Sequence, residues 1–120
     1  MKVVVTARGS SLDSPMDPRF GRAERFILVD DASEGFHVIE NSQNLDAAQG
    51  AGLQAAEIVS RAGANCVLTG HCGPKAFKAL SAAGIRIYTG VGGTVGDALD
   101  RLRSGQLKQA ESPDTEGHAF

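Results

Sequence analysis

The chain has 120 residues, 42% of them hydrophobic and 22% charged, with a formal net charge of −2. That is enough chain for one compact domain of ordinary globular composition, which excludes wholesale disorder and collagen-like repeats. The charge balance leaves no global basic footprint for duplex nucleic acid, one Tyr and no Trp leave few platforms for stacking single strands, and no apolar run approaches the ~20 residues of a membrane span.

Lys2 to Ala7 is a β-branched run and reads as the first strand. It is too short, and too soon followed by Arg8, for a signal-peptide core, so a cytoplasmic chain is expected. Residues 8 to 19 hold two prolines, three serines and a glycine. A loop of that length is uncommon in a compact domain unless it has a role. Glu24 to Asp30 is a second strand, and Phe36 to Glu40 alternates apolar and polar as a third, paired to the second as a hairpin.

Then the period changes. From Asp46 to Ala62, Ala48, Ala51, Ala55, Ile58, Val59 and Ala62 recur at helical spacing, with Asn44 and Asp46 as candidate N-caps and Gly63 as the residue after the helix. Asn65 to Thr69 is short and apolar, as a buried parallel strand is. Pro74 to Ala83 is a second helix ended by Gly84, and Ile85 to Thr89 is the fifth strand. Thr94 with Asp97 forms a capping-box pattern opening a third helix to about Arg103.

The order β-β-β-α-β-α-β-α predicts a three-layer α/β fold of the ribonuclease H-like type. It is a mixed five-stranded sheet with helices on both faces. Residues 1–106 form the single domain, and residues 107–120 a polar tail. With only the second strand opposing the others, the loop 8–19, the segment Phe20-Gly21-Arg22 and the stretches 41–46, 70–73 and 90–93 share one sheet edge. Ligands of open α/β sheets bind beyond the carboxyl ends of parallel strands.

Fifteen glycines are about 12% of the chain against a typical ~7%, and most lie between Gly50 and Gly96. Three helices begin at the shared edge, each offering free N–H groups and partial positive charge. Glycines there let a bulky ligand approach the backbone. Arg8, Arg19 and Arg22 belong to the same edge. The expected ligand is therefore anionic and fairly large.

Other chemistries fit less well. Gly50-Ala-Gly52-Leu-Gln-Ala55 matches a dinucleotide fingerprint but follows a polar stretch rather than a strand. Gly90-Val-Gly92-Gly93-Thr-Val-Gly96 follows a strand, but its last glycine is one position late. Cys66 sits inside a predicted strand as a small buried hydrophobe. Cys72, just before a helix N-terminus, is open to two readings: a reactive or metal-binding thiolate, or a small residue filling a tight turn. His71 beside it is open to ligation, hydrogen bonding to an anion, or plain solvation. Two cysteines and three scattered histidines make neither a four-ligand zinc site nor a disulfide framework. A metal-dependent nuclease would find Asp13 and Asp17 in the loop but no acid on the first strand. Ser10 and Ser11 lack evident His and Asp partners. No enzyme is expected.

From Asp17 to Phe26 the chain reads Asp-x-x-Phe-Gly-Arg-Ala-x-x-Phe. This resembles the opening motif of the dinitrogenase iron–molybdenum cofactor-binding family, the nitrogenase accessory factor-like domains. Asn41 ahead of the Gly-rich helix start, Gly63-Ala-Asn-Cys-Val-Leu-Thr-Gly70, Gly73-Pro-Lys-Ala76 and Gly84-Ile85 are similar too, so the resemblance covers residues 1 to about 105. It implies a domain that carries, stores or helps build molybdenum–iron–sulfur clusters. Within the family the chain looks closest to members holding a non-covalent molybdenum–copper sulfide cluster, whose neighbourhood includes MinD/Mrp-type ATPases.

One position departs. Many members carry His immediately before Phe-Gly-Arg, and here Arg19 stands there. Arginine does not ligate a metal but hydrogen-bonds and neutralises an anionic sulfide cluster. The combined expectation is a monomeric, non-enzymatic binding protein for a molybdenum–copper sulfide cluster. In it, Arg8, Arg19 and Arg22 supply charge, with Gly21 beside them. The amides near Gly73, Gly92, Gly93 and Thr94 supply donors, and Met16, Phe20 and Val91 form an apolar wall. His71 and Cys72 are the candidates for direct metal contact. An iron–molybdenum–sulfur cofactor carrier and an interaction module for a MinD/Mrp-type ATPase stand as alternatives.

Overall fold

The computed structural model describes residues 1–30, 35–43 and 50–113. Strand β1 (Lys2–Ala7) takes the centre of a five-stranded sheet because Val3 to Ala7 are buried on both of its faces. Strand β2 (Arg25–Asp30) pairs with it antiparallel, Val4 opposite Leu28, and strand β3 (Phe36–Glu40) pairs with β2 to form one edge. On the other side β4 (Cys66–Leu68) and β5 (Arg86–Tyr88) run parallel to β1, giving the order β3-β2-β1-β4-β5. Only β2 opposes the rest, as the element order predicts.

Alternation along the strands divides the core in two. Val4, Phe26, Val67 and Ile87 face one side. There they meet Ala55, Ala56 and Val59 of α1 (Ala51–Arg61) and Ala76 and Leu80 of α2 (Pro74–Ala82). Val3, Val5, Ile27, Cys66 and Leu68 face the other side, against Val95, Ala98 and Leu99 of α3 (Val95–Arg103). The sheet therefore carries helices on both faces.

Two boundaries differ from the sequence reading. Helix α1 starts at Ala51 with Gly50 as N-cap, so Gly52 lies in its first turn; the expected start at Asp46 and the caps Asn44 and Asp46 fall outside the described residues. At the other end the fold continues past 106. Leu107 packs against the α3-side core, and Ala110 N–H donates to the Ile87 carbonyl at 2.7 Å. An edge strand leaves outward-facing backbone groups to be satisfied, and this segment supplies a donor. Among the described residues, no helix is long and apolar enough to cross a membrane.

Candidate functional site

The loop after β1 does not wander. Arg8 N–H donates to the Pro15 carbonyl at 3.0 Å and Met16 N–H to the Gly93 carbonyl at 2.9 Å, folding residues 8–16 back over the sheet end. Asp17 then pins the chain. Its amide donates to the Thr6 carbonyl at 3.0 Å, and the Thr6 hydroxyl donates to the Asp17 carbonyl at 2.6 Å. The Asp17 side chain is 0% exposed, and its carboxylate is fully engaged. Oδ1 accepts from the Arg19 amide at 3.0 Å and Arg19 Nε at 3.1 Å, and Oδ2 accepts from Arg19 Nη2 at 3.2 Å and the Glu24 amide at 3.1 Å. Burial alone pushes this carboxyl up, but the Arg19 guanidinium and the two amides outweigh it and hold the group below its ordinary value.

Two close approaches then set the position of Phe20-Gly21-Arg22. His71 N–H donates to the Pro18 carbonyl at 2.7 Å and Phe20 N–H to the His71 carbonyl at 3.1 Å, so the loop runs alongside the chain leaving β4. A Cβ on Gly70 would stand 2.7 Å from the Pro18 carbonyl oxygen, and one on Gly21 would stand 2.8 Å from the Gly52 nitrogen. Neither place admits a side chain. Asn41 Nδ2 donates to the Gly21 and Ala23 carbonyls at 3.1 and 2.8 Å, and Gln43 Nε2 ties the Gly21 and Ala51 carbonyls together at 2.8 and 3.2 Å.

These contacts frame a cavity of about 580 Å³. Arg19, Phe20, Gly21 and Arg22 line it from the loop, Ala51 and Gly52 from α1, and His71 and Gly73 to Ala76 from the start of α2. Among the described residues no side chain caps either helix N-terminus, whose N-cap residues are Gly50 and Gly73, and neither first turn holds an acid. Helix ends of this kind present amide donors and partial positive charge suited to an anion. Arg22 and Lys75 are exposed at this cavity and form no ion pair with another described residue.

The expected site is split by this arrangement. Arg19, Phe20, Gly21, Arg22, His71 and Gly73 come together at the cavity. Gly92, Gly93 and Thr94 lie at the head of α3, on the opposite face, and its amides are taken. Thr94 N–H goes to Asp97 Oδ2, Val95 N–H to the Ser14 carbonyl, Gly96 N–H to the Leu12 carbonyl and Asp97 N–H to Thr94 Oγ1. The Gly92 and Gly93 carbonyls accept from Arg101 and from Met16 N–H. This corrects the expectation of a free donor at Thr94: the capping box takes its amide and that of Asp97, and the folded loop takes the next two, Val95 and Gly96.

Met16 and Val91 are likewise buried in the α3-side core rather than forming a wall of the cavity. Arg8 is exposed but does not line the cavity. Cys72 is 1% exposed, packed in the core behind the α1 and α2 face, with Sγ 3.9 Å from the Gly73 carbonyl. Of its two readings, the small buried residue is the one whose surroundings are seen. Among the described residues no group of three or more His, Cys, Asp or Glu could hold a metal ion.

Sequence reasoning missed Ala51, Pro74, Lys75 and Ala76 as lining residues, and it missed the role of Asp17. The signal for Lys75 was present, a cation in the first helical turn where the dipole disfavours it. The fingerprint Gly50-Ala-Gly52-Leu-Gln-Ala55, set aside because no strand precedes it, does open a helix at the cavity.

Comparison with known proteins bears on this geometry. The family model described as dinitrogenase iron-molybdenum cofactor matches residues 1–105. The apo form of the orange protein from Desulfovibrio gigas shares the fold with a TM-score of 0.89 and 42% identity, over 95% of this chain and 96% of that one. A NifB-like protein from Thermotoga gives a TM-score of 0.76 and 32% identity, over 90% and 91% of the two chains. An uncharacterized protein of Methanocaldococcus jannaschii is 25% identical over 99 residues, 80% of this chain and 83% of its own length. With the family model spanning nearly the whole domain and a structure 42% identical across it, the chain belongs to the dinitrogenase iron-molybdenum cofactor family.

Proposed function

We propose that this protein is a non-enzymatic carrier holding an anionic molybdenum–copper sulfide cluster as cargo in the cavity between Arg22, Lys75 and the first turns of α1 and α2. The observation that carries the reading is the pairing of two uncapped helix N-termini with two cations free of ion pairs among the described residues, around about 580 Å³ of space. The donor set fits such a cargo. It offers charge and amide donors, and among the described residues it lacks a cluster of side chains able to ligate a metal ion. A cluster that brings its own sulfide ligands needs the former and not the latter. Family membership and the likeness to the orange protein support a cluster-binding or accessory role.

A second reading, an iron–molybdenum–sulfur cofactor as cargo, is favoured by the description of the family and by the NifB-like relative. Metal composition separates the two. Reconstitution of metal-free protein with tetrathiomolybdate and copper, followed by desalting, a visible spectrum and metal analysis, tests the first. Molybdenum and copper retained in a fixed ratio is the expected result, and loss of both metals from folded protein would overturn it. Arg22→Gln and Lys75→Gln should each weaken retention and Arg8→Gln should not. Retention should fall as salt rises, because the cations are exposed.

A further inference from the structure

Arg19 reaches the same cavity as Arg22 and Lys75, but its guanidinium is turned back onto Asp17 by two hydrogen bonds. The pair is asymmetric. The Asp17 side chain is 0% exposed and that of Arg19 is 53% exposed. The carboxylate also accepts from the Arg19 and Glu24 amides, so it keeps two backbone donors if the guanidinium leaves. Asp17 is fixed, and Arg19 has room to move. Glu24, the other acid beside this segment, is drawn off by Arg25, 3.7 Å away.

We infer that Asp17 is an internal counter-ion that competes with the cargo for Arg19, so that Arg19 lends its charge to the cavity only when the bound anion is strong enough to draw it away. The inference rests on the proposed anion-binding reading and adds a selectivity rule to it. Weakly charged anions meet Arg22 and Lys75 alone, and multiply charged ones recruit a third cation. It also gives the arginine at position 19 a role that a metal-ligating residue there would not have: a guanidinium grips a carboxylate with two prongs and releases it without any metal bond being broken.

The test is binding of tetrathiomolybdate, a dianion, to the wild-type chain, Asp17→Asn, Arg19→Gln and the double variant, by titration calorimetry at fixed salt. Fold is checked by circular dichroism. Counting the charge at the cavity, D17N gains one positive unit, R19Q loses one, and the double variant returns to the starting value. One unit charge acting through water on a dianion about 8 Å away is worth about fivefold in affinity, so D17N should bind about fivefold tighter and R19Q about fivefold weaker. The double variant should lie within about twofold of wild type on the same charge count. A merely structural role for Asp17 predicts the opposite sign for D17N. Folded D17N that binds no tighter, or a double variant as weak as R19Q, would overturn the inference.

Where D17N does not fold, R19K decides. It keeps the charge and loses the two-pronged grip, so it should bind at least as tightly as wild type, and weaker binding would overturn the inference. If wild-type protein itself binds no tetrathiomolybdate, the anion-binding reading fails and this inference with it. Binding that depends on Arg22 and Lys75 but not on the Asp17–Arg19 pair sinks only the latter.

Discussion

Thr94 and Asp97 cap one another at the head of α3: the Thr94 amide donates to Asp97 Oδ2 at 3.1 Å and the Asp97 amide to Thr94 Oγ1 at 3.0 Å. With the Ser14 and Leu12 carbonyls taking the next two amides, the helix end is closed by the long loop. It thus serves stability on the face opposite the cavity. Thr94→Ala should cost about 1 kcal/mol. A thermal melt should show Tm lower by about 4 °C. Cluster retention per folded molecule should be unchanged, and a selective loss of retention would place the ligand at α3 instead.

Gly21 fits only because Gly52 lies beneath it. A methyl added at Gly21 would meet the Gly52 nitrogen at 2.8 Å, and backbone does not yield as a flexible side chain does. Gly21→Ala should destabilise the fold by about 1–3 kcal/mol, as overpacking does. It should also weaken retention, since Arg22 follows directly in the chain. Gly35→Ala is the control: among the described residues nothing lies within 4 Å and the position needs no left-handed backbone, so denaturant midpoints should coincide with wild type.

The Asp17 carboxyl gives the fold an acid limb. Its folded value lies below the ordinary 3.8, so the unfolded chain binds the proton more readily. The stabilisation is complete above about pH 5 and is lost as pH falls through 3.8 toward the folded value. Melts between about pH 2 and pH 7 should therefore show Asp17→Asn with a lower Tm at neutrality and a shallower decline below pH 5. A variant curve parallel to wild type across that window would remove Asp17 from the account.

Cys72 is buried with Cys66, and neither forms a disulfide. A thiol reagent should label neither in the native protein and both in denaturant. Cys72→Ala should lower stability by about 1 kcal/mol, roughly the loss of one buried methylene-sized group. Metal retention should be that of wild type. Loss of metal from folded C72A would restore the thiol as a direct ligand.

The strand and helix order was legible from the residues because the two periods are local properties. Val3-Val4-Val5 and Phe26-Ile27-Leu28 read as strands from their own apolar, β-branched runs, and the Thr94–Asp97 pair names its helix start without reference to anything distant. Gly50 was not legible as the N-cap of α1 because Ala48 and Ala51 continue the helical spacing across it. Spacing alone does not reveal where a chain turns.

The sequence by itself determined which residues could meet at the carboxyl edge, since strand direction places every loop at one end or the other. It also determined that the edge would be cationic and rich in glycine. Only the tertiary structure decided which of the two faces at that edge holds a cavity. The reason is competition for the same groups. Ser14 and Leu12 carbonyls take two amides of α3, while among the described residues no side chain caps α1 or α2, with Gly21 and Gly52 in contact between them. By the same competition Asp17, one loop residue among several, became the buried anion that decides how much of Arg19 the cavity can use.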